Sequence, residues 1–320
     1  MNPIVGIGEV LWDVYPDGRK VAGGAPFNFA FHCHQLGHSS VIVSRVGDDD
    51  LGRELRDRVR ELGLSDEYIQ TDRDHPTGTV QVTLGADAVP AYTITENVAW
   101  DFIAWDAKLE ALAKSCRAVC FGTLAQRAAS QATVQRFVTD IRVRLSSGPQ
   151  SRERVVFDVN LRGTSFASFQ LEWALAACDW CKLNSDELAI LLDLFDCQML
   201  PQFVESMIRP HLDAAAIVTR GEGGCDIYSQ WEDGGDAGSN YRSEDFHEPG
   251  VPANVVDTVG AGDAFTAAMV CLHLEGKPLR DCARFAVHYA ARVCEQPGGT
   301  PRVDRTDVER AAFGSGSQPG

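Results

Sequence analysis

The chain is short of positive charge. It carries 29 lysines and arginines against 45 acidic residues, a net charge of −16. That balance excludes an extended nucleic-acid binder, which needs a basic face against the phosphates, and leaves room only for a local basic pocket. Long hydrophobic runs are missing too. No apolar stretch reaches the roughly 20 residues that span a bilayer. The opening MNPIVGIGEV lacks a basic segment followed by a long apolar run, so it reads as a first strand. The expectation is a soluble, cytoplasmic protein with neither nucleic-acid nor membrane partners. Gly6-Ile7-Gly8 lacks the third glycine of a dinucleotide fingerprint, because Leu11 stands in its place. Cys178-Asp179-Trp180-Cys181 has no second pair at zinc-ribbon spacing. Most of the ten cysteines sit in apolar runs such as AVCFG and MVCLH, where a reduced thiol behaves as a small hydrophobe. His32 and His34 are two apart on an expected helix, point to different faces, and are read as structural.

What is present is an ordinary globular composition, 44% hydrophobic and 23% charged over 320 residues, enough for a sizeable core. Strands are expected at 4–9, 40–47, 118–122, 154–160, 179–184 and 215–221. Helical patterns lie between them, for example APFNFAFHCHQLG, LGRELRDRVRELG and SQATVQRFVTDIRVRL. This alternation predicts a mainly parallel sheet covered by helices on both faces, an α/β fold. Residues 76–98 break the rhythm, reading as two strands around a turn; with 10–22 they are expected to form a small β-lid over one end of the sheet. The α/β domain then takes 1–9, 23–75 and 99–313. Segments 146–154 and 231–240 read as surface loops and 314–320 as a frayed tail. Polar residues gather after the strands: Asp158, Asn160 and Arg162 after one, Asn184 and Glu187 after the next, Thr219 to Gly224 after a third. Ligands of open parallel sheets bind beyond the carboxyl ends of the strands, so this edge is the expected site.

The stretch DTVGAGDAF, Asp257 to Phe265, sits just before a helical run. Gly260, Ala261 and Gly262 allow a tight turn and a close approach of backbone to ligand. The first amides of the helix have no intrahelical partners and, with the positive helix end, can form an anion hole. Asp263 suits a general base that takes a proton from a hydroxyl as its oxygen attacks a phosphoryl group. A glycine turn followed by an ordinary first-turn acid is the plainer alternative, and spacing alone leaves both open.

These residues also carry a resemblance. DTVGAGDAF is similar to the phosphate-end motif of the ribokinase-like (PfkB) carbohydrate kinases, D-T-x-G-A-G-D, at each fixed position. GGAPFNFAFHCHQLG followed by RVGDDDLG resembles the N-terminal motif of that family, KLNSDE its N-x-x-E element, and TRGEGG its nucleotide-side glycine loop. The matches run in family order from residue 4 to about 303. The resemblance implies a three-layer α/β/α fold with a β-lid, ATP and Mg²⁺, and a sugar acceptor. It implies Asp263 as base over an anion hole at Gly260, Ala261 and Gly262. Asn184 and Glu187 would organise Mg²⁺ through its waters; read without the other motifs, they are a helix cap and an exposed first-turn acid. Asn184, Thr219, Gly221 and Gly224 would border the nucleotide, with Gly298 and Gly299 on the adenine side. Arg220 departs from the family, where Leu is common. On the acceptor side the implied residues are Asp13, Gly23, Gly24 and Asn28, with Arg162 facing the phosphates. Trp12 and Phe27 are either pocket walls or core. Relatives often need K⁺ or another monovalent cation near the turn that Asp257 occupies here, and lids of this kind can pair in a homodimer.

The expected lid segment 76–98 contains no Lys or Arg, which favours a neutral acceptor over a sugar phosphate, with Arg19 and Lys20 the exception if they fold inward. GGAPFN, GTLAQR and ENVAWDFI resemble fructokinases more than the GGKGAN form of ribokinases. The expected reaction is transfer of the γ-phosphate of ATP to a primary hydroxyl of fructose. 2-Keto-3-deoxygluconate, ribose and a nucleoside are the alternatives, and a non-catalytic binding homologue stands behind them.

Overall fold

The computed structural model describes residues 2–84, 90–145, 152–163, 166–208, 214–233 and 240–314. In chain order the elements are β1 (Ile4–Ile7), β2 (Leu11–Val14), β3 (Lys20–Gly23), α1 (Ala25–Gln35), β4 (Ser40–Gly47), α2 (Asp50–Glu61), β5 (Ile69–Asp72), β6 (Thr79–Leu84) and β7 (Pro90–Ile94). Then follow α3 (Ala107–Ala113), β8 (Ala118–Gly122), α4 (Ser130–Leu145), β9 (Arg154–Asp158), α5 (Ser168–Ala177), β10 (Trp180–Asn184), α6 (Ser185–Leu194), α7 (Leu200–Met207) and β11 (Ala214–Thr219). The chain ends with β12 (Cys225–Asp233), β13 (Asn240–Glu248), α8 (Ala261–Leu274), α9 (Leu279–Cys294) and α10 (Arg305–Phe313). Each expected strand of the main sheet is present, and so are the three quoted helices.

Among the described residues, nine strands form one sheet in the order β13-β12-β11-β10-β9-β8-β1-β4-β5. From β11 to β5 the pairings are parallel; β12 and β13 add an antiparallel edge. The parallel strands alternate side chains between two cores, as a period of two requires. Val5 and Ile7, Val119 and Phe121, Val155 and Phe157, and Cys181 and Leu183 enter the core that receives Leu109, Val134, Phe137, Leu171, Leu191 and Phe203. Ile4, Cys120, Val156, Trp180 and Ile217 face the opposite core, built on Phe29, Met269, Leu272, Phe285 and Tyr289. Burial on both faces explains the near-continuous apolar runs in the sequence. α8 is buried almost all round, from Ala264 to Leu272, because it lies between the sheet, α1 and α9.

A separate four-stranded sheet has the order β3-β2-β6-β7. Trp12 and Ala22 pack it on Phe27 and Phe31 of α1 and on Leu55 and Val59 of α2. Trp12 and Phe27 are therefore core, 8% and 0% exposed. Gly23 closes β3, so the small sheet takes one residue more than the segment 10–22. The turn expected within 76–98 falls at 85–89, outside the described residues, as do most of the loops expected at 146–154 and 231–240 and the tail after Gly314. The outer ends of those two loop segments are strand instead, since Arg154 opens β9, Asp233 closes β12 and Asn240 opens β13.

All ten cysteines are free, nine of them buried. Among the described residues no group of three His, Cys, Asp or Glu side chains is placed to hold a metal, and no helix is long and apolar enough to cross a membrane. His32 is buried, its Nδ1 3.0 Å from the Tyr289 hydroxyl and its Nε2 3.0 Å from the Gly299 carbonyl. The carbonyl can only accept, so Nε2 carries the proton and Nδ1 accepts from the hydroxyl. Burial depresses the His32 pKa to about 4, which keeps the ring neutral. His34 is exposed. His32 is thus a structural residue, as expected.

Candidate active site

The parallel strands end together, and their ends deliver Glu9 after β1, Asp158 at the end of β9, Asn184 at the end of β10 and Thr219 at the end of β11. Two helices begin over this edge. α1 starts at Gly24 (φ 119°) and α8 at Gly260 (φ 76°), neither with a side-chain cap. A side chain at Gly260 would be strained at that φ and would place its Cβ 2.5 Å from the Gly299 Cα. The first amides of α8 are therefore left without a capping side chain, beside a backbone that passes close by.

Asp263 lies in the first turn of α8, half-buried, and accepts a 2.8 Å hydrogen bond from Asn28 Nδ2 of α1. Burial and then the negative charge of Asp158 raise its pKa to about 7; Asn28, Lys182 and Arg162 act in the opposite direction. A carboxyl tuned to that value can take a proton near neutral pH. Asn28 Oδ1 is buried and has no hydrogen-bond partner among the described residues.

Asp13, at the end of β2, shares its neighbourhood with Gly23, where a Cβ would sit 2.8 Å from Asp13 Oδ2. Burial raises the Asp13 pKa to about 6 against the positive charge of Arg162. Arg162 is exposed, yet its charge reaches Asp13, Asp263 and Glu9 alike. Gly24 allows the chain past Glu9, whose carbonyl oxygen would be 2.3 Å from a Cβ there.

On the other side, Asn184 and Glu187 form a reciprocal cap. Asn184 Oδ1 accepts from the Glu187 amide at 2.9 Å and Glu187 Oε2 from the Asn184 amide at 2.8 Å. Glu187 Oε1 accepts from the Leu161 amide at 2.8 Å, tying α6 to the segment that carries Arg162. Thr219 donates to the Leu183 carbonyl, and Arg220 is ion-paired with Asp226. Gly221 and Gly224 hold left-handed backbone. Asp257 bridges two loops, accepting from Val259 N at 3.0 Å and Gly298 N at 2.9 Å. Gly299 packs on Asn28, so the 257–263 and 298–299 segments meet at the start of α1.

Three buried residues at this edge are not among the sequence-derived candidates. Glu9, 3% exposed, accepts from Ala25 N at 3.0 Å and leaves Oε2 without a partner among the described residues; burial raises its pKa to about 7. Lys182, 8% exposed, pairs with Asp158 at 3.1 Å. Thr266 Oγ1 lies 3.2 Å from Asp158 Oδ2 and 2.9 Å from the Gly262 carbonyl, two acceptors that share its single proton. A lysine inside the apolar strand WCKLN was the available signal, because a buried ammonium needs a partner.

Residues 14–305 match the model of the "pfkB family carbohydrate kinase". The chain is 28% identical to a fructokinase of Klebsiella pneumoniae, over 82% of each chain. Among solved structures it is similar to an uncharacterized sugar kinase of Pyrococcus horikoshii, with 25% identity, 96% of each chain covered and a TM-score of 0.75. It also shares its fold with a Vibrio cholerae fructokinase double mutant, described as the fructose, ADP and potassium ion bound form, at 20% identity, a TM-score of 0.73 and coverage of 94% of this chain and 95% of that one. The ribokinase-like fold and the family match over nearly the whole length agree: this chain belongs to the pfkB family of carbohydrate kinases.

Proposed function

We propose that this carbohydrate kinase transfers the γ-phosphate of ATP to a primary hydroxyl of a neutral ketohexose, fructose giving fructose 6-phosphate. The observation that carries the reading is Asp263: a carboxyl tuned to about pH 7, held by Asn28, in the first turn of an uncapped helix. Asp263 takes the hydroxyl proton, and the amides at Gly260, Ala261 and Gly262 receive charge on the migrating phosphoryl group. Asp13, Gly23, Gly24 and Asn28 form the acceptor side, with Arg162 reaching toward the phosphates. The four-stranded sheet acts as the lid, and its exposed side is where a homodimer would pair. Thr219, Gly221, Gly224, Gly298 and Gly299 flank the nucleotide.

Mg²⁺, when bound with ATP, would offset phosphate charge. Asn184 and Glu187 suit it only through coordinated waters, because Asn184 Oδ1 and both carboxylate oxygens of Glu187 already accept backbone amides. A monovalent cation at the Asp257 turn would share a carboxylate that already joins two loops. Fructose is favoured by the absence of Lys and Arg from 76–98 and by the fructokinase relative. The test is ATP consumption across fructose, ribose, 2-keto-3-deoxygluconate, adenosine and fructose 6-phosphate, with K⁺ and Na⁺ compared. Preference for any acceptor other than fructose overturns the substrate; turnover of none overturns the kinase reading.

A further inference from the structure

A lysine in the middle of a central strand is costly. Lys182 sits on β10 between Cys181 and Leu183, both fully buried. Its ammonium lies 3.1 Å from Asp158 Oδ1 on the adjacent β9. Replacing a buried ion pair by well-packed apolar side chains is often neutral or stabilising, so filling space does not explain this one. Its position does. A Cβ built on Gly262 would stand 2.8 Å from Lys182 Nζ, so the charge abuts the first turn of α8. The second Asp158 oxygen accepts from Thr266 Oγ1, which also hydrogen-bonds the Gly262 carbonyl. The pair thus meets that turn at two points, Asp158 through Thr266 and Lys182 by lying against Gly262.

We infer that Lys182 and Asp158 are positioning residues for phosphoryl transfer: their ion pair, acting through Thr266 and against Gly262, fixes the turn that carries Asp263 and the anion hole, and holds the charge around the base in balance. This rests on Asp263 being the base. The ionisable groups acting on or facing Asp263 are Asp158 from β9, Lys182 from β10, Arg162 after β9, Glu9 after β1 and the Cys120 thiol of β8. Asp158 raises its proton affinity, while Lys182 and Arg162 lower it. Burial lowers the proton affinity of Lys182 itself, but Asp158, Asp263 and Glu187 more than offset this, so the ammonium keeps its charge. Neutralising either partner alone therefore exposes Asp263 to the other.

The experiment compares the pH dependence of kcat, both KM values and thermal melts for the full chain, Lys182→Met, Asp158→Asn and the double variant, with ATP and the acceptor identified by turnover. Lys182→Met should move the acid limb of kcat upward by about one pH unit, Asp158→Asn should move it downward, and the double variant should return it toward the parent. At neutral pH the Lys182→Met kcat should fall roughly tenfold or more, with both KM values within about threefold. Acid limbs unmoved in both single variants, or a loss confined to KM, would overturn the inference. If Lys182→Met does not fold, the limb of Asp158→Asn decides. Asp263→Asn is the separate control: full turnover there sinks the base assignment, whereas its loss with unmoved limbs in the pair variants sinks only this inference.

Discussion

Two helices start on the same edge of the sheet and are built in opposite ways. α6 is closed: Asn184 and Glu187 return each other's amides, and Glu187, 6% exposed, also takes the amide of Leu161. α8 is open: Gly260 offers no capping side chain, the Ala261 amide meets only the Thr258 carbonyl at 3.3 Å, and the acid in its first turn bonds Asn28 instead of its own helix. The same need, to satisfy orphan N–H groups, is met by capping side chains at α6 and by no side chain at α8. A closed start supplies stability; in the proposed function the open start supplies the anion hole.

The sharpest way to break this contrast is Asp263→Asn. Turnover should drop by about two to four orders of magnitude, the range for losing a general base, while calorimetry shows ATP and sugar still bound. The parent kcat/KM should fall about tenfold per pH unit below about pH 7, as Asp263 is protonated. The stability effect has the opposite sign. The folded-state pKa lies above the usual 3.8, so the native state binds the extra proton, and this group makes the protein less stable as pH rises from about 4 to about 7. Asp263→Asn should make that part of a melting-versus-pH curve shallower, leaving the share of Glu9 and Asp13; an unchanged slope would argue against a raised carboxyl at 263.

Gly260→Ala tests the open start itself. A side chain at φ 76° and 2.5 Å from the Gly299 Cα must push the two loops apart, costing about 1–3 kcal/mol of stability and about tenfold or more in kcat. A smaller loss of kcat than in Asn184→Ala would erase the distinction between the helices. Asp13→Ala should weaken sugar binding more than ATP binding; equal losses by calorimetry would remove Asp13 from the acceptor side. Asn184→Ala should be the mildest for catalysis and the most legible in melts, costing about 1 kcal/mol for the lost cap. If Mg²⁺ is held through this cap, the Mg²⁺ needed for half-maximal rate should also rise.

The layered architecture was legible because strands buried on both faces show as short apolar runs, and neighbours such as Val119 and Cys120, or Val155 and Val156, enter opposite cores as such runs demand. The edge hairpin β12–β13 was not legible. On β13 Arg242, Ser243, Asp245 and His247 are exposed, and YRSEDFHE carries too many charges to announce a strand. The α8 motif put Asp263 in the first turn of a helix, where the structure has it, since glycine spacing before a helix is a local property. Its surroundings were hidden: Asn28 is 235 positions away and Asp158 bonds a threonine 108 positions on. The resemblance implied Glu187 as a metal organiser, and its pattern alone suggested an exposed first-turn acid; its burial and its bonds to the Asn184 and Leu161 amides show only in three dimensions.

By itself the chain determined where backbone could turn, which runs had to be buried and which helix began without a cap, because sterics and periodicity act over a few residues. Which charges surround Asp263, and hence its proton affinity, only the tertiary structure decided. Electrostatics in a buried corner depends on distance through space, and β1, β9, β10, α1 and α8 reach that corner from widely separated parts of the sequence.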